Sequence, residues 1–217
     1  MASKRTYGDR CGIARALDVV GERWALLVVR ELLLGPKRFT DLRAGLPNVG
    51  PDVLSQRLRD LEAAGLVERK TLDPPAAAKV YELTDRGRAL EPVLLELGRW
   101  GSAQPFPDGS RLGSDSLALA LKTVFDPDRA EGMAAGCELR IGQDRYAVEI
   151  SNGEIDVRRG GLDEPDVTIA APVEVLEGLL WGGRPLDGAI AAGEATVEGS
   201  KRVAARFLGL FPVSATG

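Results

Sequence analysis

Apolar residues recur every three to four positions through most of the first hundred residues and every second position through much of the rest. The first rhythm predicts helices over Ile13 to Val20, Trp24 to Leu34 (closed by Gly35-Pro36), Thr40 to Ala44, and Pro51 to Ala64, closed by Gly65. Two short extended stretches follow, Leu66 to Leu72 and Lys79 to Leu83, joined by Asp73-Pro74-Pro75-Ala76-Ala77-Ala78, and then one long helix over Asp85 to Trp100. Three helices, a two-stranded wing and a closing helix make the element order of a winged helix-turn-helix.

Two prolines and a glycine in Ser102 to Ser110 end that pattern, so an interdomain linker is expected there, with domains over 1–104 and 105–217. Beyond it, Cys137/Leu139/Ile141, Tyr146/Val148/Ile150, Ile155/Val157 and Val167/Ile169 alternate with polar or small residues. Turn sequences at Gly142-Gln-Asp and Ser151-Asn-Gly153 predict antiparallel hairpins. Helices are expected at Asp115 to Phe125, Pro172 to Leu180 and Ser200 to Leu210. The whole chain reads as α+β, with an antiparallel sheet polar on one face and covered by helices on the other.

Composition narrows the chemistry. The 217 residues contain no histidine, which removes Ser-His-Asp and Cys-His catalysis and His-ligated metals. Cys11 and Cys137 alone make no disulfide framework and no zinc site. No cofactor-binding glycine motif is present, and neither an enzyme nor a cofactor is expected. No segment approaches the roughly 20 apolar residues of a membrane span, so a cytoplasmic protein without membrane insertion is expected. The net charge of -4 hides an asymmetry: residues 1–104 hold 17 basic and 14 acidic groups, and the remainder 11 and 18. The first half is therefore the better candidate for a polyanionic partner.

Within it, Leu54, Leu58 and Leu61 form one stripe, which leaves Asp52, Gln56 and Arg59 on the opposite face with Ser55 and Arg57 on the flanks. Amide and guanidinium groups on an exposed helix match the edges of adenine and guanine in the major groove. An ordinary amphipathic surface helix would carry the same residues, and the context decides between the two. Thr40 is expected to cap the preceding helix, where free N–H groups attract phosphate, and Arg69, Lys70 and Lys79 put cations on the wing. Double-stranded DNA is the partner this order implies.

Between Tyr7 and about Gln104, the segments Cys11 to Leu17, Gly21-Glu-Arg-Trp24, Leu33-Leu-Gly-Pro36, Arg38-Phe-Thr-Asp-Leu42, Val53-Leu-Ser-Gln-Arg-Leu58, Leu61 to Arg69, Pro74-Pro75 and Tyr81-Glu-Leu-Thr-Asp-Arg-Gly87 follow one another in order. On these segments the chain resembles the HxlR family of winged-helix regulators. It departs at Gly12, where the family often has proline, and in a longer wing turn. The resemblance implies a homodimeric regulator on a pseudo-palindromic operator, read by the Pro51 to Ala64 helix. Leu90, Val93, Leu94, Leu97 and Trp100 form an apolar stripe that fits such a dimer. The resemblance also implies a sensing role for Cys11 towards oxidants or electrophiles, against the alternative of a small packing residue.

From Leu117 onward the chain is similar to sterol carrier protein type 2 domains, through Tyr146-Ala-Val-Glu-Ile150, Gly153-Glu-Ile-Asp-Val157, Glu164 to Ile169, Leu176 to Leu180, Gly193 and Ala195 to Gly199. This similarity implies a five-stranded sheet with helices enclosing an apolar tunnel. Leu176, Leu180 and Trp181 on one helix, with Val203, Phe207 and Phe211 on the last, are the candidate lining for a small apolar ligand. Each of them taken singly would serve equally as core. Two other functions stay open: a C-terminal dimerisation module without ligand, and a lipid-binding or transfer protein whose helix-turn-helix only mediates assembly.

Overall fold

Buried leucines and valines at helical spacing organise the first half of the chain in the computed structural model, which describes residues 6–72, 78–105 and 109–212. The helices are α1 (Gly12–Val20), α2 (Ala25–Leu33), α3 (Phe39–Gly45) and α4 (Pro51–Ala63), followed by β1 (Val67–Thr71) and β2 (Lys79–Leu83). Val28, Val29, Leu42, Leu54 and Leu58 are wholly buried in one core. Each contributes about 1.5–3 kcal/mol of hydrophobic stabilisation relative to exposure. The wing pairs antiparallel from Val67↔Leu83 to Thr71↔Lys79. Lys37 and Tyr81 exchange backbone hydrogen bonds of 3.0 and 2.8 Å, which ties the α2–α3 connection to the wing. The wing-turn residues 73–77 and the linker residues 106–108 lie outside the described residues, and with them Pro74-Pro75 and most of the alanine run.

The end of α4 is a Schellman motif. Gly65 adopts φ +69°, its N–H bonds Glu62 O at 2.9 Å, and the Leu66 N–H bonds Leu61 O at 2.9 Å. Only glycine enters this conformation without a Cβ penalty, and the turn delivers buried Leu66 beside Leu61 at the start of the wing.

Two expectations for this half need correction. Thr40 does not cap α3; the cap position is Arg38, and Thr40 is the second helical residue. The long helix is two, α5 (Asp85–Arg88) and α6 (Glu91–Ser102). Pro92 is the cause, because it has no N–H to offer Arg88 O and its ring would clash there. The described residues fall into two compact units that divide inside α6, at Leu94/Leu95, ahead of the proline-rich stretch at 102–110.

The second unit contains α7 (Ser114–Val124), β3 (Ala135–Ile141), β4 (Asp144–Ser151), β5 (Glu154–Arg159), β6 (Val167–Ala170), α8 (Val173–Leu180), α9 (Leu186–Ala191), β7 (Thr196–Gly199) and α10 (Lys201–Leu208). Its sheet has the order β5-β4-β3-β6-β7. Asn152 and Gly153 both have positive φ, as a two-residue type I′ hairpin requires, and join β4 to β5 in the register Ser151↔Glu154. The sheet is mixed and not all antiparallel, since β6 runs parallel to β3 with Cys137↔Val167 and Leu139↔Ile169 in register. Period-two alternation fixes which face a residue takes and carries no strand direction. The short helix α9 also escaped the sequence pattern, because six residues containing Gly188 show too little periodicity.

One face of this sheet carries buried Cys137, Leu139, Tyr146, Val148, Val157, Val167 and Ile169, with α7 packed on β5 and α10 on β3, β6 and β7. The opposite face is polar but not plainly solvated. Glu138, wholly buried, accepts from Arg140 Nε at 2.7 Å, from Arg145 Nη2 at 2.8 and 2.9 Å, and from the Leu162 N–H at 3.1 Å. Burial pushes this carboxyl up, but Arg145, Arg140 and the Leu162 N–H together hold it below the usual carboxylate range.

Candidate nucleic-acid interface

Helix α4 begins with Pro51 at its first position, where the missing N–H costs nothing, and ends at the Gly65 turn. Leu54, Leu58 and Leu61 face the core; Asp52, Gln56 and Arg59 are exposed, and Ser55 and Arg57 are half-buried. The exposed polar groups are linked. Arg59 Nη2 donates to Gln56 Oε1 at 2.7 Å, and Gln56 Nε2 donates to Asp60 Oδ1 at 2.8 Å. Arg57, 15% exposed, reaches Asp60 Oδ2 at 3.2 Å and Glu22 Oε2 at 3.6 Å, which turns it back towards the α1–α2 connection. Its Nε is buried and unpartnered among the described residues.

The flanking groups are held by acids. Thr40 Oγ1 donates to Asp41 Oδ1 at 3.2 Å, and Asp41 Oδ2 accepts from the Arg38 N–H at 3.2 Å. The start of α3 thus already carries a carboxylate where free N–H groups were expected to attract phosphate. Arg69 forks onto Glu62, with Nε and Nη2 at 2.7 and 3.1 Å from its oxygens, and its guanidinium lies 5.1 Å from the Tyr81 ring centroid. Lys70 sits between Glu82 at 2.9 Å and Glu68 at 3.2 Å. The hydrogen bond from Glu62 raises Arg69 above its ordinary value, and those from Glu82 and Glu68 raise Lys70. Lys79 is exposed at the first position of β2, opposite Thr71.

Sequence reasoning missed the acidic partners Glu22, Asp60, Glu62 and Glu82. For Asp60 the signal was present, since it stands three and four residues after Arg57 and Gln56 on one helix. The others are brought in by tertiary packing.

A buried ion pair joins α2 to the α2–α3 connection. Glu31 and Lys37, 1% and 4% exposed, pair directly, and Arg30 Nη2 donates to Glu31 Oε1 at 2.6 Å. A Cβ on Gly45 would lie 2.1 Å from Glu31 Oε2, so any larger residue at the end of α3 would displace the Glu31 carboxylate from its present position in the pair.

The candidate ligand residues occupy the second unit. Leu176 and Leu180 are buried in α8, Trp181 is half-buried at its end, and Val203 is half-buried in α10. Phe207 and Phe211 are buried and packed edge-on, with ring centroids 5.1 Å apart, and Phe125 lies 6.2 Å from Phe211. The Trp181 indole Nε1 is buried without an acceptor among the described residues. A cavity of about 480 Å³ lies elsewhere in this unit, lined by Pro127, Asp128, Glu131, Met133 and Asn152 among others.

Cys11 is exposed at the cap position of α1, and its backbone N–H donates to Asp9 Oδ1 at 2.9 Å. Cys137 is buried; burial, with Asp166 adding to it, pushes its thiol up to about 12. Among the described residues no group of three or more potential metal ligands occurs, and no helix is long and apolar enough to cross a membrane.

A helix-turn-helix with an exposed polar second helix and an adjoining two-stranded wing defines the first unit as a DNA-binding type of fold. Residues 19–107 match the HxlR-like helix-turn-helix family, and residues 114–215 match the alkyl sulfatase C-terminal family. The chain is 41% identical over 88 residues to the HTH-type transcriptional regulator YvaP of Bacillus subtilis (strain 168), covering 41% of this chain and 82% of that one. The chain belongs to the HxlR-like helix-turn-helix family, whose relatives named here are transcriptional regulators. Among solved structures it is similar to quinone-bound YodB from B. subtilis, at 32% identity over 42% of this chain and 97% of that one, with a TM-score of 0.37. It is also similar to the inverting sec-alkylsulfatase Pisa1 from Pseudomonas sp., at 21% identity over 49% of this chain and 17% of that one, with a TM-score of 0.46.

Proposed function

We propose that this protein is a transcription regulator that binds a pseudo-palindromic operator as a homodimer, with α4 in the major groove and Lys79, Arg69 and Lys70 of the wing against the backbone. The observation that carries the reading is the α4 face itself. Asp52, Ser55, Gln56 and Arg59 project from a helix whose opposite side is anchored by buried Leu54, Leu58 and Leu61, in a chain of a regulator family. Arg57 and Thr40 have a smaller part in this reading than the sequence implied, because Arg57 is turned towards Glu22 and Thr40 towards Asp41.

Dimerisation is supported by exposed apolar side chains: Ile13, 73% exposed, and Leu17 on α1, and Val93, Leu97 and Trp100 on α6. Neither DNA reading nor dimer formation calls for a catalytic group, and the protein acts in the cytoplasm, where DNA is. Residues 1–104 supply DNA binding and the dimer, and residues 105–217 form a sterol-carrier-like module that takes a small apolar ligand between α8 and α10. The buried, unpartnered Trp181 Nε1 supports the last point, since an acceptor on a ligand would satisfy it. The exposure of Cys11 at the cap of α1 supports a response to oxidants or electrophiles there.

A second reading of the C-terminal domain, a ligand-free structural module, is favoured by Phe125, Phe207 and Phe211, which pack on one another and fill their own space. Selection from random duplexes tests the main reading: the wild-type protein enriches a two-fold symmetric site with half-sites about one helical turn apart. Retention of duplexes without any common sequence overturns it. Native mass spectrometry of the purified protein separates the two readings of the C-terminal domain by the presence or absence of co-purified apolar ligand.

A further inference from the structure

The hydrogen bonds along α4 order its side chains before any DNA arrives. Asp60 has only acceptors to offer and Arg59 only donors, so the Gln56 amide between them has one allowed orientation: Nε2 towards Asp60 at 2.8 Å and Oε1 towards Arg59 at 2.7 Å. Asp60 is itself fixed from its other oxygen by half-buried Arg57, which also reaches Glu22 on the α1–α2 connection. The chain Glu22, Arg57, Asp60, Gln56, Arg59 thus runs from the body of the domain to the exposed face of α4. Arg59 spends one of its five N–H groups on Gln56, and the others meet no partner among the described residues.

We infer that Arg59 is the guanine reader of each half-site and that Asp60, acting through Gln56, is the residue that positions it. The inference rests on the proposed DNA-reading role of α4. A long, flexible arginine loses side-chain entropy when it forks onto guanine O6 and N7, and holding one of its nitrogens beforehand reduces that loss. Gln56, with both ends of its amide engaged, then acts as a relay and not as an independent adenine reader. Arg57 takes no base.

The experiment is selection from random duplexes followed by sequencing, run on wild type, Arg59→Ala, Gln56→Ala, Asp60→Ala and Asp60→Asn, each with a thermal melt and its affinity for a scrambled duplex. The wild-type profile contains one strongly preferred guanine per half-site. Arg59→Ala reduces that preference by on the order of tenfold or more. Gln56→Ala and Asp60→Ala reduce it at the same position by on the order of threefold. Asp60→Asn, which keeps an acceptor for Gln56, restores most of it. The inference is overturned if Gln56→Ala or Asp60→Ala leaves the guanine preference at its wild-type value, or if Gln56→Ala instead removes an adenine preference at a different position. Gln56 is exposed and makes no core contact, so its variant keeps the test decisive even where Asp60→Ala lowers the melting temperature. A wild-type protein that enriches no sequence defeats the DNA-reading role itself, and it does so before any variant is compared.

Discussion

Gly87→Ala sets two effects of opposite sign against each other. Alanine is the better helix former by about 1 kcal/mol, so on propensity alone the substitution stabilises α5. The structure forbids it: a Cβ at Gly87 would stand 2.1 Å from Leu66 O and 3.0 Å from Leu83 Cδ2. Leu66 O is a backbone atom at the α4–β1 turn and accepts the Thr84 N–H at 3.0 Å, so it cannot swing aside. Thr84 also caps α5 through Gly87 N at 3.2 Å and donates to Gly65 O at 2.7 Å. Moving α5 by about an ångström therefore forfeits a backbone hydrogen bond, about 1 kcal/mol, and a cap, about another. Overpacking adds about 1–3 kcal/mol. After the propensity gain, the net effect is a destabilisation of about 2–4 kcal/mol. Urea unfolding followed by circular dichroism reads it, with Gly12→Ala as control because a Cβ there meets nothing within 4 Å. A Gly87→Ala protein as stable as wild type, or more stable, would refute the steric argument and with it the explanation of why glycine closes the Tyr81 to Gly87 segment.

Other outcomes follow from buried groups in the second unit. Glu138 is held below its ordinary pKa, so its ionised form contributes stability that is present above the unfolded carboxyl value and lost as pH falls through the folded one. Glu138→Gln is therefore expected to lower stability at pH 7, by about 1–2 kcal/mol after screening of the half-exposed Arg145, with the gap from wild type closing in acid. An equal gap at pH 7 and pH 3 in urea titrations would contradict this. Iodoacetamide at pH 8 is expected to label Cys11 rapidly and Cys137 only on unfolding, since Cys137 is buried with its thiol pushed up to about 12. Peptide mapping that finds Cys137 alkylated in the native protein would count against the buried site.

The core stripe of α4 was readable from sequence because burial on a helix has a period, and Leu54, Leu58 and Leu61 keep it without interruption. Asn152-Gly153 was readable because only a few residue types accept two successive positive φ angles. What depends on tertiary packing was not. The pairing of Arg69 with Glu62 and of Lys70 with Glu82 joins residues from different elements. The parallel entry of β6 beside β3 leaves no trace in an alternating pattern. Thr40 has the composition of a cap, yet Arg38 takes the position because Asp41, three residues on, accepts the Arg38 N–H. The break before α6 could have been drawn from Pro92, whose missing N–H and ring clash fall on Arg88.

Dimethyl sulfate methylation interference on a selected operator tests the major-groove role of α4 most directly. Methylation of guanine N7 adds bulk where an arginine fork would bind, whereas methylation of adenine N3 marks the minor groove. The account predicts strong interference at one guanine per half-site, the two related by a two-fold axis and about one helical turn apart, and its disappearance in Arg59→Ala. Interference confined to adenine N3, or a guanine pattern unchanged in Arg59→Ala, would contradict it.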